Sequence, residues 1–355
     1  MSERVVVAMS GGVDSSVAAA LLVEAGCEVI GVTMRLSGEG SRCCSLDDAE
    51  DARRVAERLG IRFYVADYAD AFRREVMEPW ADAYLAGRTP IPCVACNQRF
   101  KFRHLLDRAR ALGASAVATG HYARIETDVA SGARTLLRGA DPAKDQSYFL
   151  FDLRPEQLAA IRFPVGALTK QQVRERARAL GLATAEKPES QEICFVPDGD
   201  TAGAVEKLRP GAAPGDGEIV DEAGRVLGRH GGIHRFTVGQ RRGLGLATGA
   251  RVFVRAIDAE RNRVQVAPID RLGALGARLT GVSWVAGEPP AESVRATVCV
   301  RYRHAGTNAT IEAARDGTAR VTFDEPVVAV APGQAAVFYA GDSVLGGGWI
   351  AESVA

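Results

Sequence analysis

The sequence contains no apolar run approaching the ~20 residues that a membrane-spanning helix needs. Its longest late stretch, Val327 to Gly341, is broken by Pro332, Gly333 and Gln334. No signal peptide is expected, because Val5 to Met9 is the only apolar run before Asp14 and is too short for the core of one. These absences exclude membrane functions and a membrane partner, and a cytoplasmic location is expected. Net charge is also lacking, with 44 basic against 44 acidic residues, which disfavours indiscriminate coating of nucleic acid. There is no internal repeat and no low-complexity tract, and 47% apolar with 25% charged residues excludes disordered and fibrous classes. At 355 residues the chain is long enough for two to three compact units.

The balanced charge conceals a segregation. Residues 1 to 87 hold 15 acids and 9 bases, whereas Arg225 to Arg263 holds nine arginines against Asp258 and Glu260. Further basic stretches are Arg99 to Arg110 and the group Arg295, Arg301 and Arg303. A phosphate-rich partner held on one side, or ordinary solvated faces, would each produce this pattern.

In the first half, β-branched runs alternate with amphipathic helical stretches closed by glycine. Strands are predicted at Val5–Ala8, Val29–Met34, Phe63–Val65 and Ala116–Thr119. Helices are predicted at Ser15–Ala25, from a Ser45/Asp48 capping box to Leu59, at Gln98–Leu112, and from a Thr169/Gln172 cap to the residues before Gly181. This order implies a parallel α/β sheet. Beyond Phe195, short alternating segments such as Arg251–Ile257 and Arg263–Val266 indicate β-structure. Segments at Ala296–Tyr302, Thr310–Ala314, Ala319–Phe323 and Ala335–Tyr339 have the spacing of a small barrel or sandwich. The expected domains are 1–200, 201–275 and 276–355.

Chemistry is concentrated in Ser10-Gly11-Gly12-Val13-Asp14-Ser15-Ser16, between the first strand and the first helix. Glycines let backbone N–H groups approach a phosphate, the hydroxyls of Ser10, Ser15 and Ser16 add donors, and the helix start contributes positive potential. No Gly-Lys pair occurs anywhere, so this is not a Walker A loop, and it is not GxGxxG. Asp14 among phosphates calls for Mg²⁺ between them, which suits an enzyme that splits ATP between its α and β phosphates.

The seven cysteines, 27, 43, 44, 93, 96, 194 and 299, are an odd number and not a disulfide framework. Cys93-Val-Ala-Cys96 follows Thr89-Pro90-Ile91-Pro92 and precedes the Gln98 helix, whose dipole would favour a Cys96 thiolate. Cys194 lies where the helical half meets the β-rich half. Cys27 and Cys299 read as packing residues, and Cys43 and Cys44 as accessory thiols. Gly120-His121-Tyr122 follows a strand end, where α/β sheets place ligands. Lys144-Asp145-Gln146-Ser147 reads either as a capped helix start or as a polar loop that orients a base.

Taken in order, these segments resemble the tRNA-uridine 2-sulfurtransferases, the tRNA-specific 2-thiouridylases. The resemblance spans nearly the whole chain and includes Ala8 to Ser15, Gly87-Arg88-Thr89-Pro90, Cys96-Asn97 with Lys101-Phe102, Ala118 to Tyr122, Lys144 to Leu150 and Ile193-Cys194-Phe195. Later come Gly239 to Gly245, Arg301-Tyr302-Arg303 and Pro332 to Tyr339. It implies a Rossmann-like ATP-pyrophosphatase domain, a small central domain and a C-terminal β-barrel.

By that resemblance, Ala8, Met9, Ser10, Gly11, Gly12, Val13, Asp14, Ser15, Met34 and Gly120 would contact ATP. Cys194 would carry a persulfide, with Cys96 as its catalytic partner. Ile91, Pro92, Cys93, Lys144, Asp145, Gln146, His121, Arg301, Tyr302 and Gln334 would meet the anticodon stem-loop of tRNA. The implied reaction adenylates the wobble uridine, transfers persulfide sulfur and leaves an enzyme disulfide, with a cysteine desulfurase or relay protein as donor. Many family members have Asp where this chain has Cys93, so that acid/base role is open here. Thiolates at Cys93, Cys96 and Cys194 would also suit a [4Fe–4S] cluster with one open iron. Two other readings are an ATP-pyrophosphatase ligase, which needs no spaced thiols, and a zinc-regulated RNA-binding protein using Cys43, Cys44, Cys93 and Cys96.

Overall fold

The computed structural model describes residues 2–36, 46–189, 193–247 and 249–354. Cys43, Cys44 and Ser45, and with them the zinc set and the Ser45 cap, lie outside the described residues.

The amino-terminal strands β1 (Arg4–Ala8), β2 (Glu28–Arg35) and β3 (Arg62–Asp67) alternate with α1 (Val13–Glu24) and α2 (Leu46–Leu59). With β4 (Ala116–Ala118) and β7 (Ile161–Arg162) they form a parallel sheet in the order β3-β2-β1-β4-β7. Burial on both faces explains the unbroken Val5-Val6-Val7 run. Val5 and Val7 pack towards Val17, Ala18, Val55 and Val173. Val6 faces the opposite way, towards Ile30, Phe72, Trp80, Phe100 and Phe195.

That second face is covered by α3 (Ala69–Phe72), a π-helical turn (Arg73–Met77), α4 (Glu78–Leu85), α5 (Pro92–Cys96), a second π-helical stretch (Asn97–His104) and α6 (Leu105–Ala111). The helix expected at Gln98 thus begins six residues earlier. Pro92 is its first residue, after an extended Ile91. Proline lacks the N–H that a first turn leaves unpaired anyway, so Pro92 opens the helix, and of the expected loop only Thr89, Pro90 and Ile91 precede it.

The hairpin β5 (Ala123–Thr127) and β6 (Arg134–Arg138) leaves the parallel sheet and pairs through Leu137 with Ser343 of the carboxy-terminal barrel. After α7 (Pro155–Ala159), the expected Thr169/Gln172 capping box opens α8 (Lys170–Ala179). Helix α9 (Thr201–Leu208) buries Val205 in the Trp80–Phe195 core, and Arg209 just beyond it pairs with Asp82 at 2.6 Å.

The middle unit is a four-stranded sheet of β8 (Gly217–Val220), β9 (Val226–His230), β10 (Phe253–Asp258) and β11 (Arg263–Ala267), in the order β10-β11-β8-β9. The barrel comprises β12 (Gly273–Trp284), β13 (Val294–Cys299), β14 (Thr307–Ala313), β15 (Ala319–Val328), β16 (Ala335–Ala340) and β17 (Ser343–Val354), closed by β12 against β17. These closing strands were not legible in the sequence, because glycines interrupt the alternation where backbones meet. A Cβ on Gly276 would stand 2.5 Å from the Val321 carbonyl, and one on Gly346 would stand 2.2 Å from that of Ser283.

A cleft of about 670 Å³ between α5 and the barrel is lined by Val94, Arg99, Asp152, Trp284 and Trp349, among others. Asp152 is 9% exposed, and its Oδ1 has no protein partner among the described residues. Burial pushes its carboxyl up to about 7, against smaller opposing effects of its own backbone and Arg154. The folded state therefore holds this proton more tightly than the unfolded chain, and stability falls as pH rises from about 4 through about 7. We expect Asp152→Asn to leave stability near pH 4 little changed and to raise it by about 1–3 kcal/mol at pH 8. Urea unfolding at the two pH values checks this, and equal effects at both would contradict it.

Candidate active site

The loop between β1 and α1 is shaped by backbone requirements. Gly11 has φ +69°, and a Cβ there would stand 2.2 Å from the Asp48 carbonyl. Gly12 is the N-cap of α1 and makes no side-chain cap bond. The helix starts at Val13, two residues before the expected Ser15, so the N–H groups of its first turn belong to the loop itself. The serine hydroxyls serve the loop more than its surroundings. Ser16 is fully buried and donates to the Gly12 carbonyl at 2.8 Å, and Ser15 donates to the same carbonyl at 3.1 Å. Ser10 is the exposed one, so the expectation of three outward donors is corrected to one.

Behind the loop, Met9 and Met34 are buried, and the Met9 carbonyl accepts from Thr33 at 2.6 Å. Gly120 closes against the other side, since a Cβ there would lie 2.6 Å from Ser15 N and 2.7 Å from the Asp14 carbonyl carbon. Only a glycine allows this second loop to lie on the start of α1.

Asp14 is held by neighbours that sequence reasoning missed. Lys170 Nζ stands 2.8 Å from both of its carboxylate oxygens, and the Tyr122 hydroxyl donates to Oδ1 at 2.7 Å. Lys170 also pairs with Glu189 at 2.7 Å, and Glu189 with Lys144 at 2.6 Å. Burial opposes ionisation of Glu189, but the two lysines outweigh it and hold its carboxyl down to about 2. Burial and the Asp14 charge push the Tyr122 phenol far above its ordinary value, so it stays a donor. The positive partner expected for Asp14 was Mg²⁺. The structure provides Lys170, so Asp14 alone no longer argues for the metal.

Cys93 is exposed on the first turn of α5, whereas Cys96 stands a turn later, where α5 passes without a break into the π-helical stretch, and so not ahead of the helix start. Cys96 and Cys194 are both partly buried against the core containing Phe72, Trp80, Phe100 and Phe195. The Phe195 ring, next to Cys194, meets Phe72 at 5.8 Å and Trp80 at 5.1 Å. Ser190, Gln191 and Glu192 lie outside the described residues. Among the described residues no three His, Cys, Asp or Glu side chains are grouped to hold a metal ion. Cys299 is buried beneath Arg138 and Cys27 packs beside α1, in keeping with packing roles.

The residues expected to meet tRNA surround this site on several elements. His121 is buried, which drives its pKa well below the ordinary value, with Lys101 adding to the effect. Its Nε2 faces Lys101 Nζ at 3.3 Å and its Nδ1 faces Thr119 Oγ1 at 2.7 Å. Lysine can only donate, so Nε2 accepts and Nδ1 carries the proton. Gln146 binds the Tyr122 backbone through its side chain and its N–H, at 3.0 and 2.9 Å. Asp145 is turned inward onto Arg138, Gly139 N and Ser147, so any RNA contact at this position falls to the backbone.

From the barrel, Tyr302 packs on Phe149 at 4.5 Å, and the Phe149 carbonyl accepts from Asn97, next to Cys96. Arg301 donates to the Val328 carbonyl at 3.0 Å. Gln334 donates to the Thr89 carbonyl at 2.8 Å, securing the loop that leads through Ile91 and Pro92 into α5. The structure thus brings the barrel loops and the α5 thiols together, while the Asp14 cluster is tied to them through the Tyr122–Gln146 pairing.

Three family descriptions match successive stretches of the chain. They are the tRNA methyl transferase HUP domain over residues 3–198, the tRNA methyl transferase PRC-barrel domain over 208–268 and the aminomethyltransferase beta-barrel domain over 276–350. The tRNA-specific 2-thiouridylase MnmA of Geobacter metallireducens is 54% identical over 358 residues, covering 98% of this chain and 96% of that one. Its counterpart from Solibacter usitatus is 51% identical over 367 residues, covering 98% and 99%. The chain belongs to the tRNA-specific 2-thiouridylase family. Family membership agrees with the observed order of α/β domain, central sheet and barrel.

Lys170 and Glu189 escaped notice because their partners are distant in sequence. The available signal was that Lys170 is one of only five lysines in the chain. In this thiouridylase-family fold, Gly120→Ala should cost about 1–3 kcal/mol, as overpacking does, whereas Gly26→Ala, with open space around its Cβ, should cost about 1 kcal/mol. Chemical denaturation of both variants tests the ranking, and equal losses would show that the two loops are not closely packed.

Proposed function

We propose that the protein uses ATP to replace the 2-oxygen of the wobble uridine of tRNA with sulfur, by way of an adenylated base and a cysteine persulfide. The observation that carries this reading is the meeting of three parts in one region. These are the glycine-shaped loop at the start of α1, the partly buried pair Cys96 and Cys194 on a common core, and the barrel residues Tyr302 and Gln334 fastened to the approaches of α5.

The 2-oxygen of uracil is a poor leaving group. Its attack on the α-phosphate of ATP breaks the bond to pyrophosphate and makes the oxygen part of a departing AMP. The terminal sulfur of a Cys194 persulfide then attacks C2 and AMP leaves. Cys96 thiolate attacks Cys194 Sγ, breaking the S–S bond, so that sulfur stays on the base and a Cys96–Cys194 disulfide remains. A thiol reductant supplies the two electrons that restore the pair, and a persulfide-bearing donor protein, such as a cysteine desulfurase or a relay protein, reloads Cys194. Mg²⁺ would accompany the ATP phosphates, its usual ligands in such sites. The wobble base must leave the anticodon stack to reach both phosphates and thiols, which suits recognition of a splayed single strand.

Nucleoside mass spectrometry of tRNA incubated with protein, ATP, Mg²⁺ and a persulfide donor should show 2-thiouridine, with AMP and pyrophosphate in step with it. ADP and phosphate as products would refute the reading. Cys96→Ser and Cys194→Ser should each reduce thiolation at least 100-fold, whereas Cys93→Ser should retain at least a tenth of it, because transfer and release need two thiols. Three equally inactive variants, with iron and sulfide bound to the wild type, would replace the persulfide route by a cluster.

Neutralising Arg301 together with Arg242 should weaken binding of all tRNAs alike and flatten its salt dependence. Filter binding across a salt series reads this directly, and an unchanged slope would mark both arginines as solvated surface.

A further inference from the structure

We propose that Lys170 is the phosphate-binding cation of the nucleotide site, taking the β and γ phosphates of ATP and holding them as pyrophosphate leaves. The proposal rests on the ATP-dependent reading above and adds to it a residue 156 positions away from the loop it serves.

The choice of lysine is itself informative. The chain has 44 Lys and Arg residues, of which five are lysine. Four of those five stand around the loop at the start of α1. Lys101 meets His121 at 3.3 Å, and Lys144 meets Glu189 at 2.6 Å. Lys187 meets Asp48 at 2.7 Å, whose carbonyl abuts Gly11. Lys170 meets Asp14 within the loop. A protein that uses arginine almost everywhere else has placed its compact, freely rotating ammonium groups here. Such groups suit phosphate as point charges, whereas arginine suits planar bidentate partners.

Of the four, Lys170 is the one that reaches a residue of the loop itself. It begins α8, where the Thr169 capping box and a bond from its own N–H to Asp141 Oδ2 at 2.9 Å fix its backbone. Its side chain is 11% exposed, so the ammonium is directed into the site and not out to solvent. Asp14 and Glu189 balance Lys170 and Lys144 in charge, two against two. An arriving triphosphate adds negative charge, and the ammonium can turn one of its three donors to phosphate while keeping a carboxylate on another. Lys170 thereby supplies what the absent Gly-Lys of a Walker loop would supply.

Calorimetric titration of the full chain with ATP, AMP and inorganic pyrophosphate, in the presence of Mg²⁺, provides the test. Lys170→Met should weaken ATP and pyrophosphate at least tenfold and AMP less than twofold, and Lys170→Arg should recover part of the loss. A general collapse of the site would weaken AMP equally and would overturn the proposal.

The paired variant Asp14→Asn/Lys170→Met separates contact from neutralisation, because it removes both charges while keeping the side-chain shapes. Pyrophosphate binding should remain at least tenfold weak in the pair. Its return to the wild-type value would show that Lys170 serves only to neutralise Asp14. Lys170-dependent pyrophosphate binding by a wild type that makes no 2-thiouridine would sustain the site and refute the tRNA reading instead.

Discussion

Arg138 joins the two ends of the molecule. Its guanidinium lies 3.6 Å over the Tyr339 ring of the barrel, pairs with Asp145 at 3.0 Å and reaches Cys299 Sγ at 3.8 Å. Burial works against so much charge, and an arginine tolerates it because a planar cation can stack and pair at once. Asp145 then organises its own loop by accepting from Gly139 N, Ser147 N and the Ser147 hydroxyl. With β6 paired to β17 beside it, the α/β domain and the barrel share a sheet as well as a side-chain cluster. The position of Tyr302 and Gln334 over the thiol helix depends on this junction, since both belong to barrel segments.

The charged groups in the site are arranged by the same economy. Asp14, Lys170, Glu189 and Lys144 form a neutral chain that links the loop before α1, the start of α8, the approach to Cys194 and the 144–146 loop. A buried or half-buried charge is tolerable only with a partner, and each of these charges has one. The four charges leave this part of the site in electrostatic balance, two against two.

Much of the first domain was legible because its signals are local. A doubly buried strand reads as an apolar run, glycine ends helices, and Thr169 with Gln172 makes a capping box that the structure reproduces. The hairpin β5–β6 and the closing strands β12 and β17 were not legible, because each is stabilised by pairing with a strand far away in sequence and carries glycines where that pairing is tight. The site divides in the same way. Ser10 to Ser15, Gly120 and the thiols could be identified from short motifs and from the family resemblance. Lys170 and Glu189 could not, because the meaning of Lys170 lies in a contact 156 positions away and Glu189 is tied to the site only through Lys170 and Lys144. Ser15 and Ser16 were read as donors to a ligand when burial turns both onto the Gly12 carbonyl.

The thiol helix shows how local chemistry and distant packing combine. Pro92 starts α5 early, which places Cys93 on an exposed first turn and Cys96 a turn later against the aromatic core. The backbone then widens into a π-helical stretch from Asn97 to His104, a geometry that is rare and costs hydrogen-bond quality. That stretch directs the Asn97 amide to the Phe149 carbonyl and buries Phe100 and Phe102 completely or nearly so. A regular α-helix would advance these side chains by a different angle per residue and could not keep Asn97, Phe100 and Phe102 on their present partners together with Cys96 on its core. The irregular helix is thus the means by which one segment serves the thiol, the barrel contact and the sheet face at once.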